Sequence, residues 1–266
     1  MPTAREVLLD AAYAALADRP WAVVRMVDVA AAARVSRQTL YNEFGSKDGL
    51  ARALVRRETD AYLAGVERAL NGTPGGPAGL GGASARPGAP AGPPGDGADR
   101  VAAAATWTLR TARVNPLVRA VLTGCWGDRL PPRTVAGPPP VRRRGVRRSV
   151  PAQWSGGTDA GEGTPLGPAD LVGRFRERAV AALAPHWPDE ELPALDAACE
   201  AAARLTLSCV VAPAGAAVPE SARAGPGRSG TRTAGAGGGG DAESEMVARL
   251  VRGVFAGAWG RGGSGG

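Results

Sequence analysis

The residues best suited to binding chemistry lie close together, between Ser36 and Lys47. Gln38 and Asn42 are four residues apart, so they would share one face of a helix. Side-chain amides can form paired hydrogen bonds with the edge of adenine, and the guanidinium of Arg37 can do so with guanine. This short stretch therefore offers donors and acceptors that suit the major groove of DNA.

Two cations in this stretch occupy positions that folding alone would not favour. Arg37 and Lys47 each follow a serine, Ser36 or Ser46, which is a good helix N-cap. A cation at the first helical position opposes the helix dipole, at a cost of about 0.3–1 kcal/mol. Phosphate groups that approach both helix starts would meet backbone N–H groups and cations together. The hydroxyl of Tyr41 could donate a hydrogen bond to a further phosphate. The placement indicates contact with a phosphate backbone.

The elements that must position these side chains are predicted to be helices joined by tight turns. Thr3 and Glu6 have the spacing of a capping box at the start of the first helix. Leu40 and Phe44 form the buried stripe of the third helix, and Gly45 ends it. The predicted elements are a first helix that ends before Pro20, a short helix at about 27–33, a third at 37–44 and a long one at 47–70.

Beyond residue 70 the helical pattern continues with interruptions. Residues 71–99 hold ten Gly and six Pro. They carry too few apolar side chains to offset the entropy lost on ordering, so they are predicted to be disordered. Residues 131–168, 213–240 and 260–266 are interpreted as flexible or disordered in the same way. Further helices are predicted at about 99–114, 116–123, 168–184, 189–212 and 241–259. No segment alternates with a period of two, so the predicted fold class is all-α.

Composition argues against several other kinds of site. Cys125, Cys199 and Cys209 are odd in number and form no CxxC motif, and His186 is the single histidine. These residues cannot assemble a metal site or a His-based catalytic triad. We therefore predict no metal, no cofactor, no catalytic residue and no enzyme. No leader and no apolar run of about 20 residues is found, so we expect a cytoplasmic, nucleoid-associated protein with no membrane partner.

Charge is compatible with a polyanionic partner but is unevenly distributed. The formal net charge is +7, yet residues 1–70 hold ten Lys or Arg against nine Asp or Glu. Residues 131–148 hold six Arg and no acid. The arginine-rich stretch 142–148 could serve as a flexible DNA-binding arm, or it could be a solvated insertion.

The segment VSRQTLYNEFGSKDGL resembles the DNA-binding end of the tetracycline-repressor (TetR) family of bacterial transcriptional regulators. The shared features are a Val-Ser turn, then Thr-Leu-Tyr-x-x-Phe, then Ser-Lys and Leu, and the match covers about residues 4 to 55. The resemblance implies an N-terminal three-helix DNA-binding domain at 2–62, with its helix-turn-helix at about 25–44. It also implies a long linker helix and, at 100–259, a helical body for effector binding and dimerisation.

The resemblance also implies roles for individual residues. The expected DNA contacts are Ser36, Arg37, Gln38, Thr39, Tyr41, Asn42 and Lys47, and Lys47 is similar to the family's phosphate-contacting lysine. Arg34 departs from the pattern, because the family usually has Gly in this turn. If that position needs positive φ, arginine costs up to about 1 kcal/mol or more. Arg25 precedes the second helix where the family often has a capping Thr or Ser, and Asp28 is expected to replace that cap in part.

For the body, the resemblance implies a homodimer whose helices at about 189–212 and 241–259 form a four-helix interface. Two recognition helices would then lie about 34 Å apart, one turn of B-DNA. The candidate contacts for a small-molecule effector are Trp107, Arg110, Trp126, Phe175, Arg178, Thr206 and Cys209. The implied function is a repressor that binds a near-palindromic double-stranded DNA operator and releases it when a ligand tilts the linker helix. A regulator without an effector is the first alternative, distinguished by the lack of a sizeable cavity, and an enzyme is a remote one.

Overall fold

A computed structural model of the chain describes residues 2–72, 94–132, 167–213 and 238–259. Within these ranges the chain is helical and contains no strand, which confirms the predicted all-α class. The predicted disordered or flexible segments lie largely outside the described residues. The arginine-rich stretch 142–148 and the tail 260–266 lie wholly outside them.

Nine α-helices are found in the described ranges. They are α1 (Ala4–Asp18), α2 (Met26–Ala32), α3 (Arg37–Phe44), α4 (Lys47–Leu70), α5 (Pro94–Val114), α6 (Pro116–Thr123), α7 (Pro168–Leu183), α8 (Leu192–Val211) and α9 (Gly238–Trp259). Three short 3-10 helices accompany them, at Trp21–Val23, Ala184–His186 and Asp189–Glu191. The predicted ranges of α3, α4 and α6 are confirmed at both ends.

Local capping explains why these boundaries agree. The Ser36 hydroxyl accepts the backbone N–H of Thr39 at 3.0 Å, and Gly45 ends α3 with a φ of 68°. Asn115 accepts from the first N–H groups of α6, and Pro116 at the first helical position needs no N–H partner. The capping box of Thr3 that opens α1 is also present.

Tertiary contacts move other boundaries away from the prediction. Helix α5 begins at Pro94 and α9 at Gly238, a few residues before the predicted starts at about 99 and 241. The Trp187 ring closes directly over Gly97, where any side chain would overlap it. The Arg113 side chain donates to the backbone oxygen of Gly240 at 2.8 Å. Packing and side-chain hydrogen bonds thus hold glycine-rich ends in a helix that their propensity disfavours.

Two expected caps do not form. Asp189 begins a 3-10 helix and α8 starts only at Leu192, with no side-chain cap. Helix α2 also begins without a side-chain cap, because the Asp28 carboxylate instead accepts from Arg19 at 3.5 Å. Helix α7 begins at Pro168, as predicted.

The chain divides into two compact units, and the division falls within α4. The first unit comprises Met1–Ala53 and Asp128–Leu166. In it α1 packs against α2 and α3 around the fully buried side chains of Leu8 and Leu40. Trp21 is also buried, and its backbone N–H donates to the carbonyl of Arg129 at 2.8 Å.

The second unit comprises Leu54–Gly127 and Gly167–Gly266. Helix α5 packs against α6, α8 and α9, while α8 also packs against α7 and α9. Its fully buried side chains include Val66 on α4, Leu117 on α6 and Leu195 on α8. This unit is therefore a helical bundle with an apolar core of its own.

Candidate nucleic-acid interface

Helix α3 separates its anchoring residues from its polar residues. Leu40 is fully buried and Phe44 is only 9% exposed, so both hold the helix against the core of the first unit. Arg37, Gln38 and Asn42 are exposed. The helix thus presents a polar face that does not pack against the core, and its role in binding DNA stays a prediction.

The other predicted contacts at α3 differ in whether their hydroxyl groups already bond within the protein. The Tyr41 side chain is 50% exposed, and its hydroxyl has no hydrogen-bond partner within the part of the chain that the structure describes. Ser36 and Thr39 are engaged in the cap, since their hydroxyl oxygens lie 2.8 Å apart. Tyr41 is therefore available to a partner, whereas Ser36 and Thr39 also hold the start of α3.

The two amides on α3 form a joined pair. Gln38 donates from Nε2 to Oδ1 of Asn42 at 2.8 Å. This bond leaves Oε1 and one N–H of Gln38, together with the Nδ2 group of Asn42, for an incoming partner. The pair can present an acceptor beside donors, which is the combination that an adenine edge requires.

Lys47 lies at the start of α4 and already has partners within the protein. Its Nζ donates to the carbonyl of Ala22 at 3.0 Å and lies 5.6 Å from the centroid of the Trp21 ring. The Ser46 hydroxyl caps the helix by accepting from the N–H of Gly49 at 3.1 Å. An ammonium has three donors, so Lys47 can contact a phosphate while it keeps the bond to Ala22.

Arg34 adopts the positive φ that its place in the turn between α2 and α3 requires. Its φ is 55°, and it is the single non-glycine residue with a positive φ among the described residues. The condition under which arginine is costly at this position is therefore met. Arg25, before α2, is exposed and provides no cap.

The structure does not bring the seven predicted effector contacts into one site. Phe175 and Thr206 line one cleft of about 10 Å³, whereas Cys209 lines a separate cleft of about 50 Å³. The smaller volume is on the order of that needed for a single water molecule. Arg110 and Trp126 are half-buried and line neither cleft.

Trp107 and Arg178 are committed to helix contacts. Trp107 donates from Nε1 to the backbone oxygen of Tyr62 at 3.2 Å, and its ring packs against Gly65. Arg178 donates from Nη1 to the carbonyl of Arg174 at 3.4 Å. Both side chains therefore support the bundle in this conformation.

Sequence reasoning missed Tyr62, which is the polar centre of the smaller cleft. Its hydroxyl lies 3.2 Å from the Thr108 hydroxyl, in a buried contact between α4 and α5. Burial raises the pKa of Tyr62 to about 12, so the phenol stays neutral near pH 7. Its spacing from Leu54 and Val66 on α4 places it on the buried stripe, which could have marked it.

The described residues show little that suggests other chemistry. Burial, and then the neighbouring Asp196, raise the pKa of the Cys199 thiol to about 12, so it is protonated near neutral pH. In the four described ranges no group of three or more His, Cys, Asp or Glu side chains is placed to hold a metal ion. None of the helices in those ranges is long and apolar enough to span a bilayer.

The capped α3, preceded by a tight turn and α2, defines a helix-turn-helix module. Residues 8–54 match the family model of the bacterial regulatory proteins of the tetR family. The HTH-type transcriptional regulator AlkX of Mycobacterium tuberculosis is 42% identical over 71 residues, which are 27% of this chain and 34% of that protein. Over residues 8–54 the chain is therefore similar to the TetR family, the family that the sequence analysis named. This chain aligns with only about a third of that relative.

Similarity to solved structures adds little to this. A crystal structure of the TetR family repressor AlkX from a Dietzia species aligns with 94% of this chain and 97% of its own. The sequence identity is 19% and the TM-score 0.42, which is too low to support an inference about how the helices are arranged.

Proposed function

We propose that this protein is a cytoplasmic, nucleoid-associated transcriptional repressor that binds a near-palindromic operator as a homodimer. The observation that carries the proposal is α3, which exposes Arg37, Gln38 and Asn42 on a helix anchored by Leu40 and Phe44. A side-chain set of this kind is suited to reading base edges in the major groove. The match of residues 8–54 to a family of bacterial regulatory proteins supports this reading and a non-enzymatic role.

The predicted contacts divide into two roles. Gln38 and Asn42 read base edges, with Arg37 placed to contact either guanine or a phosphate. Tyr41, Lys47 and the cap at the start of α3 contact phosphates and fix the position of the helix on the duplex. These assignments remain proposals, supported by exposure and by the hydrogen bonds that hold each side chain.

The homodimer is supported by an uncovered apolar stripe on α9. Leu250 is 43% exposed, and Met246 and Val254, four residues to either side of it, are half-buried. A Cβ atom at Gly253 or Gly257 would meet nothing within 4 Å in the part of the chain that the structure describes. A stripe of this kind, with small residues among apolar ones, suits close packing against a second α9. Leu250→Glu should give a monomer by sedimentation that has lost most of its operator affinity, and a dimer would contradict this interface.

A response to an effector is proposed around Tyr62, Thr108, Phe175 and Thr206, which line the same cleft. Helix α4 carries Tyr62 and also begins with Lys47, so a ligand that displaces Tyr62 would act on the helix that follows the reading helix. Decisive release of DNA would need several kcal/mol of differential affinity between the two conformations. The Thr206→Val variant, which removes a hydroxyl from the cleft with little change in side-chain size, should bind operator normally but respond less to the ligand.

A regulator without an effector is the second candidate, and the size of the clefts favours it. Ligand sites usually have volumes of about 300–1,000 Å³. These two clefts measure about 10 and 50 Å³, so an effector that entered either would have to enlarge it. A screen of small molecules for release of bound DNA separates the two candidates, because only the first predicts a hit whose effect Thr206→Val weakens.

The experiment that tests DNA recognition is selection of bound duplexes from a random pool by the purified protein. We expect a near-palindromic motif with half-sites about one helical turn apart. Arg37→Ala should retain fewer duplexes, whereas Arg174→Ala, an exposed arginine on α7, should perform as the wild type does. No enrichment with the wild-type protein would contradict the proposal.

A further inference from the structure

We infer that Arg34 is a further DNA contact, binding a backbone phosphate just before α3; this rests on the proposed function. The first observation is conformational. Three glycines with positive φ occur in the described ranges, Gly45, Gly72 and Gly124, whereas Arg34 reaches a φ of 55° with a full side chain. The left-handed region is strained for L-residues and favours glycine. The chain therefore accepts strain at this one position to keep an arginine.

The turn itself does not need the arginine side chain. Val35 donates its N–H to the carbonyl of Ala30 at 3.0 Å, and Arg34 donates to that of Ala31 at 3.1 Å. These two bonds are the pair that closes a Schellman motif at a helix C-terminus, in which the left-handed residue is usually Gly. Because only backbone groups close the turn, glycine at position 34 would complete it at least as well.

The guanidinium of Arg34 has no bonding partner among the described residues. Arg5 lies near the Glu43 carboxylate and the Phe44 ring, and Arg19 pairs with Asp28. Arg34 is exposed, and across the described ranges its guanidinium forms no hydrogen bond, ion pair or ring contact. A strained residue whose charged group is unused is better explained by a partner outside the chain.

Its position in the chain points to a phosphate rather than a base. Arg34 lies two residues before the Ser36 cap, outside α3, and Arg37 follows at the first helical position. The exposed face of α3 carries the side chains suited to bases, and the turn precedes it. A guanidinium binds phosphate with two parallel hydrogen bonds, and such contacts carry no direct sequence information. The Arg34 contact should therefore strengthen binding to any duplex.

The test compares Arg34→Gly, Arg34→Gln and Arg34→Lys with the wild-type protein. Affinity is measured against salt concentration for two probes, the duplex selected from the random pool and one fixed duplex of arbitrary sequence. Thermal unfolding of each variant is recorded in parallel. Arg174→Gln removes an exposed arginine from the second unit and serves as the control for net charge.

We expect Arg34→Gly to unfold at the same temperature as the wild type or a few degrees higher, because glycine relieves the strain. Its affinity for both duplexes should fall several-fold. The plot of log affinity against log salt should become less steep by about 0.9 per bound protomer. Arg34→Gln should lose the same slope, while Arg34→Lys and Arg174→Gln should keep that of the wild type.

Each contrary result has a distinct meaning. Wild-type affinity and slope in both Arg34→Gly and Arg34→Gln would overturn the contact. Weaker binding to the selected duplex alone, with the salt slope unchanged, would overturn the phosphate contact and indicate a base contact. If Arg34→Gly does not fold, Arg34→Gln decides alone, because glutamine, like arginine, has a Cβ and places the same demand on the backbone at this position. A wild-type protein that binds neither duplex would contradict the proposed function itself.

Discussion

The two units of the molecule use their polar side chains in opposite ways. On α3 the polar residues Arg37 and Asn42 are exposed, while folding depends on the other face of the helix. In the second unit, Thr108 and Thr206 lie inside the apolar bundle, only 3% and 2% exposed. We therefore expect DNA binding and stability to be separable in the first unit, whereas in the second unit a change to a candidate contact also changes the core.

The strongest test of this separation uses two neighbouring residues of α3. Leu40→Ala should reduce the free energy of unfolding by about 2–5 kcal/mol, because it empties a fully buried site. Tyr41→Ala should change it by only about 0.5 kcal/mol or less, since the side chain is half exposed. Tyr41→Ala should nevertheless weaken DNA binding, while Leu40→Ala at a temperature where it stays folded should weaken it less. Urea denaturation and affinity for the selected duplex provide both measurements.

The separation would fail if these effects were reversed. A large loss of stability in Tyr41→Ala would mean that its ring belongs to the core of the first unit. Normal DNA binding by the same variant would remove Tyr41 from the interface. Leu40→Met, which nearly conserves volume, should cost less than about 1.5 kcal/mol and shows whether cavity formation explains the Leu40→Ala result.

In the second unit the matching test adds a methyl group, whereas Leu40→Ala removes several side-chain carbons. A Cβ at Gly65 would overlap the Trp107 ring, so Gly65→Ala should destabilise the unit by about 1–3 kcal/mol. A Cβ at Gly173 on α7 would meet nothing within 4 Å among the described residues, so Gly173→Ala should stabilise the unit by about 0.5–1 kcal/mol through helix propensity. Thermal or urea unfolding measures both. A stable Gly65→Ala protein would show that the contact between α4 and α5 can open easily, as an effector would require.

The same contrast explains how far the sequence could predict the structure. The ends of α3 depend on Ser36 and Gly45, which act within a few residues of where they stand and can be read directly. The first turns of α5 and α9 contain glycines that disfavour a helix, and they form because Trp187 covers Gly97 and Arg113 binds Gly240. Such contacts join residues far apart in the chain. A sequence pattern alone therefore placed these two helix starts too late.

The candidate sites follow the same rule. Gln38 and Asn42 share a helix face because of their spacing, and the structure adds the hydrogen bond between them. The bond from Lys47 to the carbonyl of Ala22 spans 25 residues and could not be predicted. The cleft around Tyr62 is lined from five helices, so neither its residues nor its small volume follows from any single segment.

The smallest expected effect concerns the amide pair and separates two ways in which α3 could read DNA. Gln38→Ala, Asn42→Ala and the double variant form a cycle for affinity to the selected duplex. The amide of Asn42 orients that of Gln38 through the 2.8 Å bond, so losing either should disturb the contacts of the other. We expect a coupling energy of about 0.5–1 kcal/mol, within the range found for residues in direct contact. The stability of each variant should change by no more than about 0.5 kcal/mol, because an exposed i,i+4 pair contributes little to folding.

A second cycle provides the comparison. Arg37 and Asn42 are both exposed on α3, and within the described residues they do not bond to each other, so Arg37→Ala and Asn42→Ala should be additive within about 0.5 kcal/mol. Additivity in both cycles would mean that Gln38 and Asn42 contact bases independently and that their hydrogen bond breaks on binding. Coupling in the first cycle alone would mean that α3 presents the two amides as one preorganised acceptor and donor. The polar face of α3 would then be ordered before DNA arrives, by a bond that the fold itself does not need.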